Sequence, residues 1–191
     1  MIKPLPLQEE ILAANNHINI IACEHASGKT YGLLLKAICA DKGVTLLYNN
    51  YDKLRQSVDL MKDILNENDI NFSHKYVKQE IEIKGSHNIY FKMCTEKVDT
   101  HLILVDDVHT FPEGWFEKTF KGVGRHKKIT LSVPFTEVWV IQENIWYGII
   151  TVVGVNGSSL ITVVEDHTRK DNPHLSRELI EKLDELEGDC I

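Results

Sequence analysis

At 191 residues, with 43% hydrophobic, 26% charged and 8% aromatic side chains, the chain has the composition of one globular domain with a sizeable core. That mix excludes disordered, collagen-like and coiled-coil chains. A formal charge of −7 and a pI near 5.7 exclude electrostatic nucleic-acid binding by the molecule as a whole and leave that role to a local patch or to assembly.

The longest nearly apolar run, from Ile145 to Val155, is far short of the ~20 residues of a membrane span. The opening MIKPLPLQEE has no apolar signal segment. Cys23, Cys39, Cys94 and Cys190 form no CxxC pair, so they read as free thiols of a reducing cytosol.

In chain order, Ile18 to Ala22 is a buried-strand run that ends in Cys23-Glu24-His25-Ala26-Ser27-Gly28. Leu33, Leu34, Ala37 and Ile38 then recur at helical spacing between Thr30 and Ala40. Val44 to Tyr48 predicts the next strand, and Asp52 to Leu65 a helix with Leu54, Val58, Met61 and Leu65 on one face. Ile81-Glu82-Ile83 and Ile89-Tyr90-Phe91 flank Gly85-Ser86-His87-Asn88, the pattern of a hairpin. Leu102 to Val105 is a fully apolar strand ending in Asp106-Asp107, and Ile129 to Val133 is another, stopped by Pro134. From 137 to 165 the sequence is β-rich, with a hairpin signal at Asn156-Gly157. An acidic helix is expected from Ser176 to Leu186. Apolar strands alternating with helices predict an α/β fold with a mainly parallel sheet covered by helices.

Ser27-Gly28-Lys29-Thr30 falls between a predicted strand and a predicted helix, the context that gives a Gly-Lys-Thr match meaning. Glycine lets the backbone curl so that N–H groups converge on phosphate oxygens, and the helix N-terminus adds its positive dipole end. Lys29 is then expected to reach the β- and γ-phosphates of a nucleotide, with the Thr30 hydroxyl on Mg2+. The first glycine of the usual pattern is replaced by Cys23. The candidate phosphate-loop residues are Cys23, Glu24, His25, Ala26, Ser27, Gly28, Lys29 and Thr30; among them His25 reads as an ordinary loop histidine. The competing reading is a chance Gly-Lys-Thr with a solvated lysine.

A nucleoside triphosphatase also needs strand-end carboxylates, one for the metal and one to orient the attacking water. Leu102 to Asp107 supplies both, with Asp106 as the metal carboxylate and Asp107 as the water-orienting one. Adjacent strand residues point to opposite faces, so the two divide the work. Asp107 is one methylene shorter than the glutamate more often found at this position, and a misplacement of ~1 Å can cost on the order of 10²-fold in rate. Slow or partner-dependent hydrolysis is therefore one expectation.

Further elements follow in order: Pro6-Leu7-Gln8 upstream of the loop, and Thr130-Leu131-Ser132-Val133-Pro134 after the carboxylates. Gly85-Ser86 before Ile89-Tyr90-Phe91, and Asp171-Asn172-Pro173-His174-Leu175 before the acidic helix, complete the set. Together they resemble the ATPase domain of the large subunit of the tailed-phage DNA-packaging terminase, over roughly Pro4 to Leu186.

The resemblance implies a three-layer P-loop NTPase of the RecA-like type in residues 1–186, followed by a short tail at 187–191. It implies an ATPase that uses ATP and Mg2+ to drive double-stranded DNA into a procapsid, as a homo-oligomeric ring on the portal protein, with a small terminase subunit as partner, in the host cytoplasm and away from membrane. Gln8 corresponds to the adenine-contacting glutamine, Lys29, Thr30, Asp106 and Asp107 to the phosphate, metal and acidic residues, and Ser132 to the segment coupling hydrolysis to movement. The resemblance departs at His25-Ala26, where the family usually has an arginine, so a finger is expected from elsewhere, such as Lys97 or Arg125. The family's ribonuclease-H-type nuclease domain has no counterpart within these residues, so nuclease activity is expected from a separate part. Two other readings stay open: an adaptor that binds nucleotide or DNA without hydrolysis, and a helicase-like remodelling ATPase.

Lys118, Lys121, Arg125, His126, Lys127 and Lys128 form a local basic cluster that could face DNA phosphates or be a solvated loop. Trp115, Trp139 and Trp146 read as packing residues. No histidine spacing suggests a metal site beyond nucleotide-bound Mg2+.

Overall fold

The computed structural model describes residues 3–112, 114–115, 127–134, 161–164 and 176–177. Its helices are α1 (Pro6–Ala13), α2 (Lys29–Ile38) and α3 (Tyr51–Glu67). Its strands are β1 (Ile18–Cys23), β2 (Val44–Tyr48), β3 (Phe72–Lys75), β4 (Glu80–Ile83), β5 (Asn88–Met93), β6 (Leu102–Val105), β7 (Lys128–Pro134) and β8 (Ile161–Val164). The aliphatic runs become the sheet interior: β1 and β2 are buried at every residue, and β6 at all but its first. Burial on both faces is what a continuous aliphatic run requires.

The strands form one eight-stranded sheet in the order β3-β4-β5-β2-β6-β7-β1-β8. From β5 to β8 every pairing is parallel, while β4 joins β5 and β3 joins β4 antiparallel. The hairpin expected around Gly85 is thus β4–β5, with Ile81 opposite Ile89. Strand β3 and helix α1 were not legible as periodic segments. The four residues of β3 are polar apart from Phe72 and lie at the sheet edge, where nothing demands an apolar run. Most of the β-rich segment 137–165, the acidic helix, the Asp-Asn-Pro element and most of the basic cluster lie outside the described residues.

Period-two alternation splits the sheet's side chains between two cores. Ile21, Leu46, Tyr48 and Leu104 pack with α1, α2 and α3 through Ile11, Leu33, Leu34 and Met61. Ile20, Leu47, Ile103, Val105, Leu131 and Val133 face the other way, toward Val108 and Trp115. Trp115 is a packing residue, as its sequence context suggested: buried, edge-on to Phe111, its indole N–H donating to the Cys94 carbonyl at 2.7 Å. No described helix is long and apolar enough to cross a membrane.

Two residues of α2 set how α1 lies on it. Gly32 allows close approach, since a Cβ there would come within 2.5 Å of Ile11 Cδ1. Lys36 then ends α1: its ammonium donates to the carbonyls of Ile11 at 2.8 Å, Leu12 at 3.3 Å and Ala14 at 2.5 Å, groups the helix itself leaves unpaired. Burial, with the Lys128 charge adding to it, pushes the Lys36 pKa down to about 8.

Replacing Lys36 by Met keeps the stem and strands those carbonyls, so the expected loss is about 1–3 kcal/mol in urea unfolding at neutral pH. As pH rises from about 8 toward the ordinary lysine value, the folded chain gives up this proton before the unfolded one. The Lys36 contribution to stability therefore grows with pH across that window, and unfolding of Lys36→Met should lose that slope.

Candidate nucleotide site

The site forms where β1, β6 and β7 end side by side. Between β1 and α2 the chain makes a tight loop in which Ala26 (φ 60°) and Gly28 (φ 99°) both take left-handed backbone. Gly28 is the N-cap of α2, and its conformation is one that glycine adopts without a Cβ penalty. Left-handed residues interleaved in a tight loop build the backbone nests that bind anions, here at the start of a helix of ten residues.

Lys29 folds back over this loop, its ammonium donating to the carbonyls of Cys23 at 2.8 Å and Glu24 at 2.5 Å. Burial lowers its pKa, and the nearby acidic groups Cys23, Asp107, Asp106 and Glu24 oppose that shift. The loop thus carries a buried amine that only loop carbonyls satisfy. Ser27 adds a second signal: its hydroxyl is buried and finds no partner among the described residues. An unpaired buried hydroxyl costs on the order of 1–3 kcal/mol, which a ligand oxygen would offset.

Sheet register brings the carboxylates to the loop. Val105 lies opposite Leu131 on β7, and Ile21 of β1 opposite Ser132. One residue beyond Val105, Asp106 therefore sits beside Ser132, whose hydroxyl donates to Asp106 Oδ1 at 2.7 Å. From the other side the Thr30 hydroxyl donates to Asp106 Oδ2 at 2.9 Å. Ser132 also accepts the Asp107 backbone N–H at 3.0 Å. Burial, reinforced by the charge of Asp107, raises the Asp106 pKa; the Ser132 and Thr30 hydroxyls and the Lys53 charge partly counter it.

Asp107 leaves the strand in a left-handed conformation (φ 51°) that starts a short 3-10 turn, Val108–Thr110. Its carboxylate pairs with Lys53 in the first turn of α3, so the two neighbouring acids meet different partners. Gln8 is buried beside the loop: its Oε1 accepts the Leu5 N–H at 2.9 Å, and its Nε2 is 3.6 Å from where a Cβ on Gly28 would be. His25 is exposed, its ring edge-on to His109 at 6.5 Å between centroids. Cys23 is a buried strand residue whose carbonyl accepts from the Lys29 ammonium.

Lys53 and Asn49, whose side-chain amide donates to the Thr110 carbonyl, escaped the sequence reading. Neither belongs to a motif. The available signal was electrostatic: a lysine in a helix's first turn opposes the positive dipole end and so needs an acidic partner. Lys97, considered as a distant cation, is exposed and pairs with Asp99 at 3.5 Å; Arg125 lies outside the described residues.

The oxygens of Thr30 and Asp106 are hard donors of the kind that hold Mg2+, which binds through one or two carboxylates plus phosphate oxygens. No cluster of three or more His, Cys, Asp or Glu gathers among the described residues. A cation at this site would rely on its ligand for the rest of its shell.

Comparison with known proteins places the fold. No protein-family model and no curated protein matches the sequence. Among solved structures, the large terminase of a thermophilic bacteriophage superposes with a TM-score of 0.69 at 15% identity, over 94% of this chain and 49% of that one. The same terminase in complex with ATP-gamma-S matches with a TM-score of 0.64 at 14% identity, again over 94% and 49%. The isolated large-terminase ATPase domain of a Thermus phage matches at 0.61 and 12% identity, over 96% of this chain and 86% of that domain. The chain thus spans about half the length of the full terminase chains.

Asp106→Asn should stabilise the ligand-free fold while removing the candidate metal carboxylate. A raised folded pKa means that the buried charge costs stability increasingly as pH climbs from the unfolded carboxyl value through the folded one. A Tm rise of about 2–4 °C at pH 7, the shift that ~1 kcal/mol gives in a domain of this size, is the outcome that calorimetry would check. The described fold is thus the one shared with solved phage large-terminase ATPase domains, with the β1–α2 loop, the acids after β6 and the serine of β7 together at one edge of its sheet.

Proposed function

We propose that the chain is an ATP-hydrolysing motor domain of the kind that packages double-stranded DNA in tailed phages, with residues 1–186 as the ATPase unit. The observation that carries this reading is the convergence of Thr30 and Ser132, from two different elements, on the buried carboxylate of Asp106. Any buried carboxylate needs donors, and what supports a site here is where they come from: the residue after Lys29 at the start of α2, and the end of β7. The fold shared with large terminases, one of them solved with ATP-gamma-S and also with ADP, supports the same reading.

In this reading the nest around Gly28 and the Lys29 amine hold the β- and γ-phosphates, with the Ser27 hydroxyl supplying a further donor. Gln8 lies beside the loop on the side of α1, where it can meet the base. Thr30 and Asp106 would hold Mg2+, which when bound neutralises developing charge on the phosphates. Asp107 orients the attacking water. Ser132 touches both Asp106 and the Asp107 backbone, so it senses any change at either and passes it into β7. Double-stranded DNA, a portal protein, a small terminase subunit and further copies of the chain in a ring are the proposed partners, in the host cytoplasm, with nuclease activity supplied by a separate domain.

Phosphate release from MgATP tests the reading. Wild type should turn over at least about 100-fold faster than Lys29→Ala, since that change removes charge from both bound phosphate and transition state. Equal rates would sink the enzymatic claim. A nucleotide-binding adaptor would instead gain heat stability from ATP with no turnover, even with DNA and partner proteins present.

A further inference from the structure

The second carboxylate is fixed in all but one respect. The Asp107 N–H donates to Ser132 Oγ at 3.0 Å, and its carbonyl accepts from the Thr110 N–H at 3.0 Å and the Thr110 hydroxyl at 2.8 Å. Its backbone is therefore pinned in the left-handed conformation, and what stays free is the rotation of its side chain. The group that meets that side chain is the Lys53 ammonium, which bonds Oδ2.

Lys53 is in turn placed by α3. The Asn50 side chain caps that helix by accepting from the Asp52 N–H at 2.7 Å and the Lys53 N–H at 3.3 Å, and so puts Lys53 in the first turn. A cation there opposes the helix dipole. The lysine breaks a local rule, and the partner that offsets the break is the carboxylate whose aim matters to the proposed reaction. Asn49, one residue before the cap, grips the far end of the same turn through the Thr110 carbonyl. The start of α3 thus holds the 107–110 turn at both ends.

Resting on the proposed ATPase reading, we infer that Lys53 is a positioning residue for Asp107: its ammonium selects the rotamer in which the carboxylate's second oxygen faces the nucleotide side and can take a water. Stability is not its role. Half of the Lys53 side chain is exposed, and exposed pairs of that kind add little to stability. The pair acts through geometry, and it compensates for the short side chain of Asp107, which needs a fixed aim more than a longer carboxylate would.

The test compares Lys53→Ala, Lys53→Arg, Asp107→Ala and the double variant Lys53→Ala/Asp107→Ala in steady-state ATP hydrolysis, with crystal structures of the two single lysine variants. Lys53→Ala should lower kcat about 10-fold or more, with KM for ATP within about twofold and an unchanged Tm, because misaim rather than lost binding is the defect. Lys53→Arg should recover most of kcat, and the double variant should be no slower than Asp107→Ala, because the lysine acts through that carboxylate. In the Lys53→Ala crystal Asp107 should turn to another rotamer or split between two, and in Lys53→Arg it should stay. An unaltered or increased kcat in Lys53→Ala, a further loss in the double variant, or an unmoved Asp107 rotamer would overturn the inference. Should wild type release no more phosphate than Lys29→Ala, the proposed function fails, and the Asp107 rotamers in the two crystals still decide whether Lys53 positions that side chain.

Discussion

The molecule is organised around a carboxyl group held almost out of the reach of water. Asp106 is buried at the end of β6, and its carboxylate is kept in place by the hydroxyls of Thr30 and Ser132. Leaving a carboxylate in such a place raises its pKa and costs stability, and Asp107 beside it makes the cost larger. A fold built only for stability would put a neutral residue there. Under the proposed function this arrangement is one half of a charge balance, the other half of which a cation and an anionic ligand would supply.

The parallel sheet is what allows three separate sequence segments to meet at that charge. In a parallel array all strands end at the same edge, so the loop after β1, the acids after β6 and the serine of β7 emerge side by side. β7 lies between β1 and β6, and that order puts Ser132 in contact with the carboxylate while the Thr30 hydroxyl reaches it from α2. Behind this edge, Gly32 and Lys36 fasten α1 to α2 and so bring Gln8 against Gly28. The loop is thereby braced on its α1 side.

Most of the sheet was legible in the sequence, for a definite reason. Ile18–Cys23, Val44–Tyr48 and Leu102–Val105 are buried almost throughout, a condition that mainly apolar runs satisfy, with the buried polar side chains of Asn19 and Thr45 hydrogen-bonded. α2 and α3 show apolar residues at helical spacing because one face of each packs on the core. α1 and β3 were missed because each is short and half exposed. The former is begun by Pro6 and ended by Lys36 from another helix, and the latter is an edge strand that leans on β4 for its register. The end of α1 and the register of β3 are therefore not written in their own residues.

Chain order and residue type, by themselves, determined that a Gly-Lys-Thr loop opens a helix after a buried strand, and that two acids close another. Those are local statements, set by steric freedom at glycine, apolar periodicity and the shortness of turns. Tertiary structure decided which acid faces the loop, which serine bridges to it, and which cation meets the other acid. Strand order and register settled the first two. The third, Lys53, came from the far side of β2 through the placement of a helix cap. An ion pair between residues 53 and 107 leaves no trace in either neighbourhood of the chain, because the field that joins them exists only once the sheet has brought β2 and β6 together.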